Sequence, residues 1–263
     1  MKKNFCFLTM ALSLLLLWGC GITPEPTEPT ESVPEITTAP TEQTKPAVTA
    51  PPVTEPLHSA LYIPDVSVED VILYFNEVCL DAEVNHGGDP SLLQKWSTPI
   101  YYHITGQYTQ EDMDVLEHFT AWLNSIYGFP GIFPAEDEWS ANLRIHFGTA
   151  EDMLEKLGDW TFGLDGAVTF WYSDDAIYDA IICCRTDLNQ YLRNSVILEE
   201  IYNGLGPIQD TSLRPDSIIY AEYSEPQSLS RMDELILKLL YHPDILCGMD
   251  AESCEAVIRS LYY

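Results

Sequence analysis

One short stretch of the sequence, VILEEIYNGLGPIQD at residues 196–210, has residue types and spacing that could carry out hydrolysis. Glu199 and Asn203 are four residues apart and therefore share one face of a predicted helix, with Glu200 on the adjacent stripe. A zinc-peptidase helix spaces two metal-binding histidines in this way, and a glutamate between them polarises a water molecule. Glu200 stands where that glutamate would be.

The metal ligands of such a site are replaced in this sequence. The extended zinc motif adds a glycine turn and a third histidine, and the corresponding positions hold Gly206 and Gln209. Zinc favours imidazole and thiolate, whereas carboxylate and amide oxygens suit harder ions such as Ca²⁺. We therefore expect no zinc and no other cofactor. A calcium-like cation held by Glu199, Asn203 and Asp210 is an alternative.

Three interpretations of this carboxylate helix are open. In the first, Glu200 activates water together with Glu199 or a bound cation. In the second, both glutamates stabilise the fold by bonding to Arg193, to a strand backbone or to the loop at 206–217, since buried carboxylates need partners. In the third, the helix lines a cleft that binds an extended peptide or glycan without cutting it. The candidate binding residues are Arg193, Asn203, Gln209 and Asp210.

Other residues could do chemistry but have simpler explanations. His103 and His146 fall in predicted strands, where a pair could bind a metal, although structural histidines are commoner. Ser217 and Asp233 suggest a hydrolase, yet the sequence has no G-x-S-x-G elbow. Aromatics in strands are more often core than ligand contacts. Those that could line a ligand groove are Tyr62, Tyr101, Tyr102, Trp171 and Tyr172.

The elements that must position these groups follow from hydrophobic periodicity and helix capping signals. Ser67 and Asp70 mark the start of the first helix. Helices are predicted over about 68–83, 109–128, 149–157, 188–204, 229–241 and 250–263. Strands are predicted over 95–106, 142–148, 166–172 and 176–185. This order predicts a single α+β domain with a mixed sheet.

The first 57 residues predict export and tethering. Lys2 and Lys3 precede an apolar run at 5–18, which is shorter than the roughly 20 residues of a membrane-spanning helix. This pattern predicts a signal peptide over 1–20, although an uncleaved anchor is an alternative. Its end resembles a bacterial lipobox, which implies lipidation at Cys20. Residues 21–57 are rich in Pro, Thr and Glu and predict a disordered linker, which leaves 58–263 as the domain.

Charge and cysteine usage exclude some partners. The formal net charge of −29 opposes binding to nucleic acid and to anionic lipid. The five cysteines of residues 58–263 include no CxxC pair, which argues against a zinc ribbon or a redox motif. Cys247 and Cys254 could close a small loop as a disulfide in an oxidising compartment. Adjacent Cys183 and Cys184 would point to opposite faces of a strand.

An ordered series of short matches over residues 68–250 resembles a bacterial extracytoplasmic family of unknown function. That family looks like a remote, zinc-less relative of zincin metallopeptidases, and it has E-E-L-T-Q where this chain has EEIYN at 199–203. The matches include Lys95, Trp96, Asn142, Arg193, Glu199, Glu200, Leu205, Gly206, Asp210, Asp216, Ser217, Ile218, Asp233, Leu240, Tyr241, Gly248 and Met249. The resemblance implies a single zincin-like domain.

These inferences combine into one expected function. We expect a lipoprotein tethered to the outer face of the cell membrane, serving as a non-catalytic binding or scaffold module of the envelope. Its ligand would be a peptide, protein or glycan rather than nucleic acid. The alternative is a peptidase-like hydrolase that uses Glu200 with Glu199 or a hard cation.

Overall fold

The computed structural model describes residues 61–80 and 92–262, which form a mixed α+β arrangement. Its helices are α1 (Val68–Cys79), α2 (Gln110–Leu123), α3 (Ala150–Leu157), α4 (Gln190–Gly204), α5 (Arg231–Leu240) and α6 (Ala251–Leu261). Its strands are β1 (Lys95–Trp96), β2 (Ile100–Gly106), β3 (Ile132–Pro134), β4 (Leu143–Gly148), β5 (Gly166–Ser173) and β6 (Ala176–Arg185). The predicted signal peptide, Cys20 and the linker lie outside the described residues.

The six strands form one sheet, in which five run parallel and β5 runs antiparallel at one edge. From that edge the order is β5, β6, β4, β2 and β3, and the short β1 pairs with the first two residues of β6 beside β4. A tight turn joins β5 to β6, with positive φ angles at Asp174 and Asp175. This conformation suits a two-residue hairpin turn. The predicted mixed sheet is confirmed.

Three predictions about the elements need correction. The sequence predicted one strand over 95–106, but β1 and β2 are separate and pair with different strands. Pro99 lies between them, and its ring removes a backbone donor. The short β3 was not predicted, because three residues that end in Pro134 carry little periodic signal. The first helix ends at Cys79 rather than near residue 83.

The two faces of the sheet differ in how they are covered. The inner face carries Ile145, Phe147 and Ile182 and packs into the main core with the helices. At the C-terminal end of the strands, α3 covers the outer face and forms a smaller cluster that includes Met153. Away from α3 that outer face stays open, as the exposed ring of Tyr101 indicates.

The cysteines follow this division of the sheet. Cys184 lies in the main core and Cys183 in the smaller cluster, as their alternation predicted. Every described cysteine is free, so the suggested disulfide between Cys247 and Cys254 is not formed. Cys254 is completely buried in the core, whereas the Cys247 thiol contacts the carbonyl of Lys95.

None of the helices described is long and apolar enough to cross a membrane.

Candidate functional site

The carboxylate helix of the sequence is α4, which is capped locally at its start and bonded to a strand at its end. It begins at Asn189, whose side chain accepts a hydrogen bond from the Leu192 amide. At its other end, the indole Nε1 of Trp96 donates to the carbonyl of Gly204 at 2.8 Å. Between these points α4 packs against α2, β5 and β6. The helix α4 therefore lies between α2 and the edge of the sheet formed by β5 and β6.

Glu200 lies in the interior beside the first residue of β5. Its side chain is 2% exposed. A Cβ atom added at Gly166 would come within 2.8 Å of Glu200 Cγ, 2.9 Å of its Oε1 and 2.5 Å of Val196 Cγ1. A side chain at that position would overlap both Val196 and Glu200, so one of them would have to shift. In this arrangement Glu200 does not line an open groove.

Arg193 bonds to α2 and to the end of β6. Its Nε donates to Asp112 Oδ1 at 2.8 Å, and its Nη1 donates to the carbonyl of Thr186 at 3.0 Å. Arg193 is 6% exposed and Asp112 is 0% exposed. Burial alone would raise the pKa of Asp112, but hydrogen bonds from Thr109, Gln190 and Arg193 outweigh it and lower that pKa. This ion pair is an internal tie between α2 and α4.

The remaining candidate residues lie at different depths. Asn203 is 2% exposed, and its Oδ1 has no hydrogen-bond partner among the described residues. Glu199, Gln209 and Asp210 are half-buried. The backbone amide of Gln209 donates to the carbonyl of Val78 at 3.3 Å, which joins the loop after α4 to α1. The structure thus brings Glu200 and Asn203 inside and leaves the other three nearer the surface.

The donor set at the three histidine positions of the motif does not fit a zinc ion. One carboxylate, from Glu199, and two amides, from Asn203 and Gln209, offer neither imidazole nor thiolate. Within residues 61–80 and 92–262, no three His, Cys, Asp or Glu side chains form a group that could hold a metal.

Ser217 and Asp233 contact each other, but as part of a buried network. Ser217 Oγ lies 2.8 Å from Asp233 Oδ1, and the hydroxyl of Tyr74 donates to the same oxygen at 2.9 Å. The other carboxylate oxygen accepts from the amides of Ile218 and Ser230, both at 3.0 Å. Burial, followed by the nearby carboxylate, raises the pKa of Tyr74 far above its usual value. Ser217 and Asp233 are 0% exposed, so they serve as a structural junction.

Lys95 is a buried cation whose role was missed from the sequence. Its Nζ donates to the carbonyls of Leu240 and Ile245 and lies 5.5 Å from the centre of the Tyr241 ring. Burial lowers the pKa of Lys95 to about 8. The Lys-Trp dipeptide was the available signal: Lys95 satisfies carbonyls at the end of α5, while Trp96 does so at the end of α4.

The two strand histidines do not form a metal-binding pair. They lie on neighbouring strands, but the register places His146 opposite Thr105 and His103 opposite Arg144. His146 Nδ1 lies 2.8 Å from Thr105 Oγ1. Burial, followed by the charge of Lys156, lowers the pKa of His146. His146 therefore has a specific structural partner, Thr105, in the adjacent strand.

Comparison with protein families shows a match to a family described as a protein of unknown function (DUF2927) over residues 69–260. The chain belongs to this family. No curated protein matches the sequence. The match begins in α1 and ends in α6, so it includes α4, the Asp233 network and the Asp112–Arg193 pair. The DUF2927 domain and the described fold therefore coincide.

The buried thiols of the DUF2927 domain predict loss of stability at alkaline pH. Burial raises the pKa of Cys183 to about 12 and that of Cys254 to about 11, and it also raises the pKa values of Cys79 and Cys184 well above the usual value. Unfolding would release these thiols to ionise near pH 9. The contribution of these thiols to the free energy of unfolding is thus fully present below about pH 9. It falls by about 1.4 kcal/mol per pH unit and thiol as the pH rises further.

Lys95 has the opposite effect on how the free energy of unfolding depends on pH. Because its pKa falls from 10.5 to about 8, protonation disfavours the folded state below pH 8, and that penalty disappears as the pH rises to 10.5. Urea denaturation from pH 7 to 10 under reducing conditions should therefore show a net fall above pH 9. In Lys95→Met the fall should steepen by about 1.4 kcal/mol per pH unit. An unfolding free energy that does not change with pH would contradict both assignments.

Proposed function

We propose that this DUF2927 domain is a non-catalytic binding or scaffold module of a bacterial cell envelope, built on a zincin-like fold without zinc ligands. The observation that carries the proposal is the burial of Glu200, which packs on Gly166 at 2% exposure. A general base must reach its substrate within hydrogen-bonding distance, directly or through one water. A carboxylate enclosed between α4 and β5 instead supports the structural role for this helix.

The arrangement around α4 supports the zincin-like part of the proposal. The helix α4, which carries Glu199 and Glu200, packs against the antiparallel edge strand β5, and the glycine turn at Gly206 follows it directly. Gly206 has a φ of 132°, and a Cβ there would lie 2.7 Å from the carbonyl oxygen of Gln94. In this chain, both Glu200 and the glycine turn at Gly206 therefore pack tightly against neighbouring residues.

Strand β5 is the element best suited to bind an extended segment. One of its edges pairs with β6, and its other edge forms no ladder with a described residue. An unpaired edge offers backbone donors and acceptors to an added strand, which is a common mode of peptide recognition. We place the module on the outer face of the membrane, held by lipid at Cys20 and the linker at 21–57, on the basis of the N-terminal sequence.

The burial of Glu200 can be tested with two glycines of the same interface. Gly166→Ala should destabilise the protein by about 1–3 kcal/mol, because the new methyl overlaps Val196 and Glu200. Gly204→Ala is the control, since its Cβ would lie 3.4 Å from Val168 in ordinary contact, and a helical alanine is favourable. Urea denaturation measures both. If Gly166→Ala is as stable as the control, Glu200 moves aside freely and the buried-site model is wrong.

A second candidate, a hydrolase that uses Glu200 with a hard cation, is favoured by one observation: the unpartnered, buried Oδ1 of Asn203. Peptide-library digestion with EDTA or added Ca²⁺ separates the two functions. We expect no cleavage and no rise in melting temperature with Ca²⁺. Cleavage that Glu200→Gln abolishes, with a calcium-dependent melting temperature that Asn203→Leu abolishes, would establish the hydrolase instead.

A further inference from the structure

The open part of the outer sheet face carries exposed aromatic rings. Tyr101 on β2 and Phe133 on β3 are opposite in register, 6.3 Å apart between ring centres, and 43% and 39% exposed. On β5, the half-buried Trp171 lies opposite Asp179 of β6. Asp179 accepts from Arg144 Nη2 at 2.6 Å, so the guanidinium in the middle of the face already has a carboxylate partner.

The loop at 135–142 adds a fourth ring to this face. It joins β3 to β4, which lie on either side of β2, so it must cross β2. The helices fill the inner face, and the turn at Glu138–Ser140 in this loop lies against β2, so the crossing is on the outer face. Trp139 in this loop is 96% exposed. We call Tyr101, Phe133, Trp139 and Trp171 the aromatic patch.

The charge around the aromatic patch is negative. The loop that carries Trp139 also carries exposed Glu136, Asp137 and Glu138, and Asp174 is exposed at the tip of the β5–β6 hairpin. The chain as a whole has a net charge of −29. Exposed rings attract cations through their π faces, and an acidic surface draws cationic partners towards it. Exposed aromatics that share one face of a sheet also commonly mark a binding surface.

We propose that the aromatic patch binds a Lys- or Arg-rich segment of another protein, with the cationic side chains stacked on its rings and paired with the acids of the 135–142 loop. The rings supply contact area at small entropic cost, and the acids supply charge complementarity. The inference uses a different surface from the edge of β5 and does not depend on the state of Glu200.

A synthetic peptide of alternating Arg and Gly is the probe, titrated into the mature chain and followed by calorimetry. We expect binding that weakens with added salt. The double variant Tyr101→Ala/Trp139→Ala should weaken it by about tenfold, since each exposed cation–π contact accounts for about threefold in affinity. Tyr191→Ala, which removes a ring that is 55% exposed on α4, is the control and should change the affinity by less than about twofold.

A second pair of variants separates a built site from general attraction to an acidic protein. Glu136→Gln/Glu138→Gln should weaken binding several-fold, whereas Glu222→Gln/Glu252→Gln, which removes the same charge elsewhere, should not. Equal losses in both pairs would overturn the proposal, as would no binding of the peptide. Salt-independent binding of a neutral chito-oligosaccharide that requires Trp139, without peptide binding, would assign the patch to a glycan and also overturn it. Circular dichroism checks that each variant is folded.

Discussion

Replacing Arg193 with methionine is expected to destabilise the protein by about 3–5 kcal/mol, because it leaves the carboxylate of Asp112 buried without its guanidinium. Asp112 is 0% exposed, and its remaining donors, from Thr109 and Gln190, are uncharged. Arg193 also donates to the Thr186 carbonyl at the end of β6, so the variant loses a second tie. Urea denaturation of the two proteins at pH 7 measures the difference.

The matched control for Arg193→Met is Arg214→Met, which removes an exposed pair. Asp216, the partner of Arg214, has a 58% exposed side chain, so this loss should cost less than about 1 kcal/mol. A double variant, Arg193→Met/Asp112→Leu, should recover much of the stability, since it also removes the buried carboxylate that the single variant leaves without a cationic partner. If Arg193→Met is as stable as Arg214→Met, the buried pair does not hold α4 to α2.

Replacing Asp233 with alanine is expected to cost about 4 kcal/mol or more, because four donors lose a buried acceptor. These donors are the hydroxyls of Tyr74 and Ser217 and the amides of Ile218 and Ser230. Each buried donor left without a partner costs about 1–3 kcal/mol, although neighbouring losses do not add fully. Thermal and urea unfolding should both report the loss.

Asp250→Ala provides the comparison for Asp233→Ala. Both aspartates accept hydrogen bonds in the first turn of a helix, but Asp250 caps α6 at the surface, so its removal should cost about 1 kcal/mol. A hydrolase in which Ser217 is the nucleophile predicts a different outcome: Asp233→Ala would remain stable and lose an activity that Ser217→Ala also loses. Equal stabilities of Asp233→Ala and Asp250→Ala would contradict the structural junction.

The elements that the sequence predicted well have strong local signals. Ser67 with Asp70, and Thr109 with Asp112, form capping boxes at the starts of α1 and α2. These bonds span three residues, so the sequence is sufficient to locate them. Strand β4 was predicted from apolar alternation, and its buried and half-buried residues alternate in the same way. The α+β class follows from such local patterns.

Contacts between distant residues decided the candidate site. One interpretation of the sequence paired Arg193 with the glutamates of its own helix, but Arg193 bonds to the carboxylate of Asp112, which is 81 residues away. Asp112 is a capping residue in its local sequence, and its second role depends on α2 packing against α4. A side chain of this kind satisfies two requirements, of which only the local one is visible in the sequence.

The sequence alone determined the acidic charge, the helix starts, the α+β class and the presence of Glu199, Asn203 and Gln209, rather than histidines, at the spacing of a zinc motif. Only the tertiary structure decided that Glu200 packs on Gly166, that Asp233 joins α1 to α5, and that part of the outer sheet face is open. The physical reason is that the two kinds of feature depend on interactions over different separations along the chain. Capping and periodicity act over a few residues, whereas the burial of a carboxylate depends on which distant strand or helix lies against it.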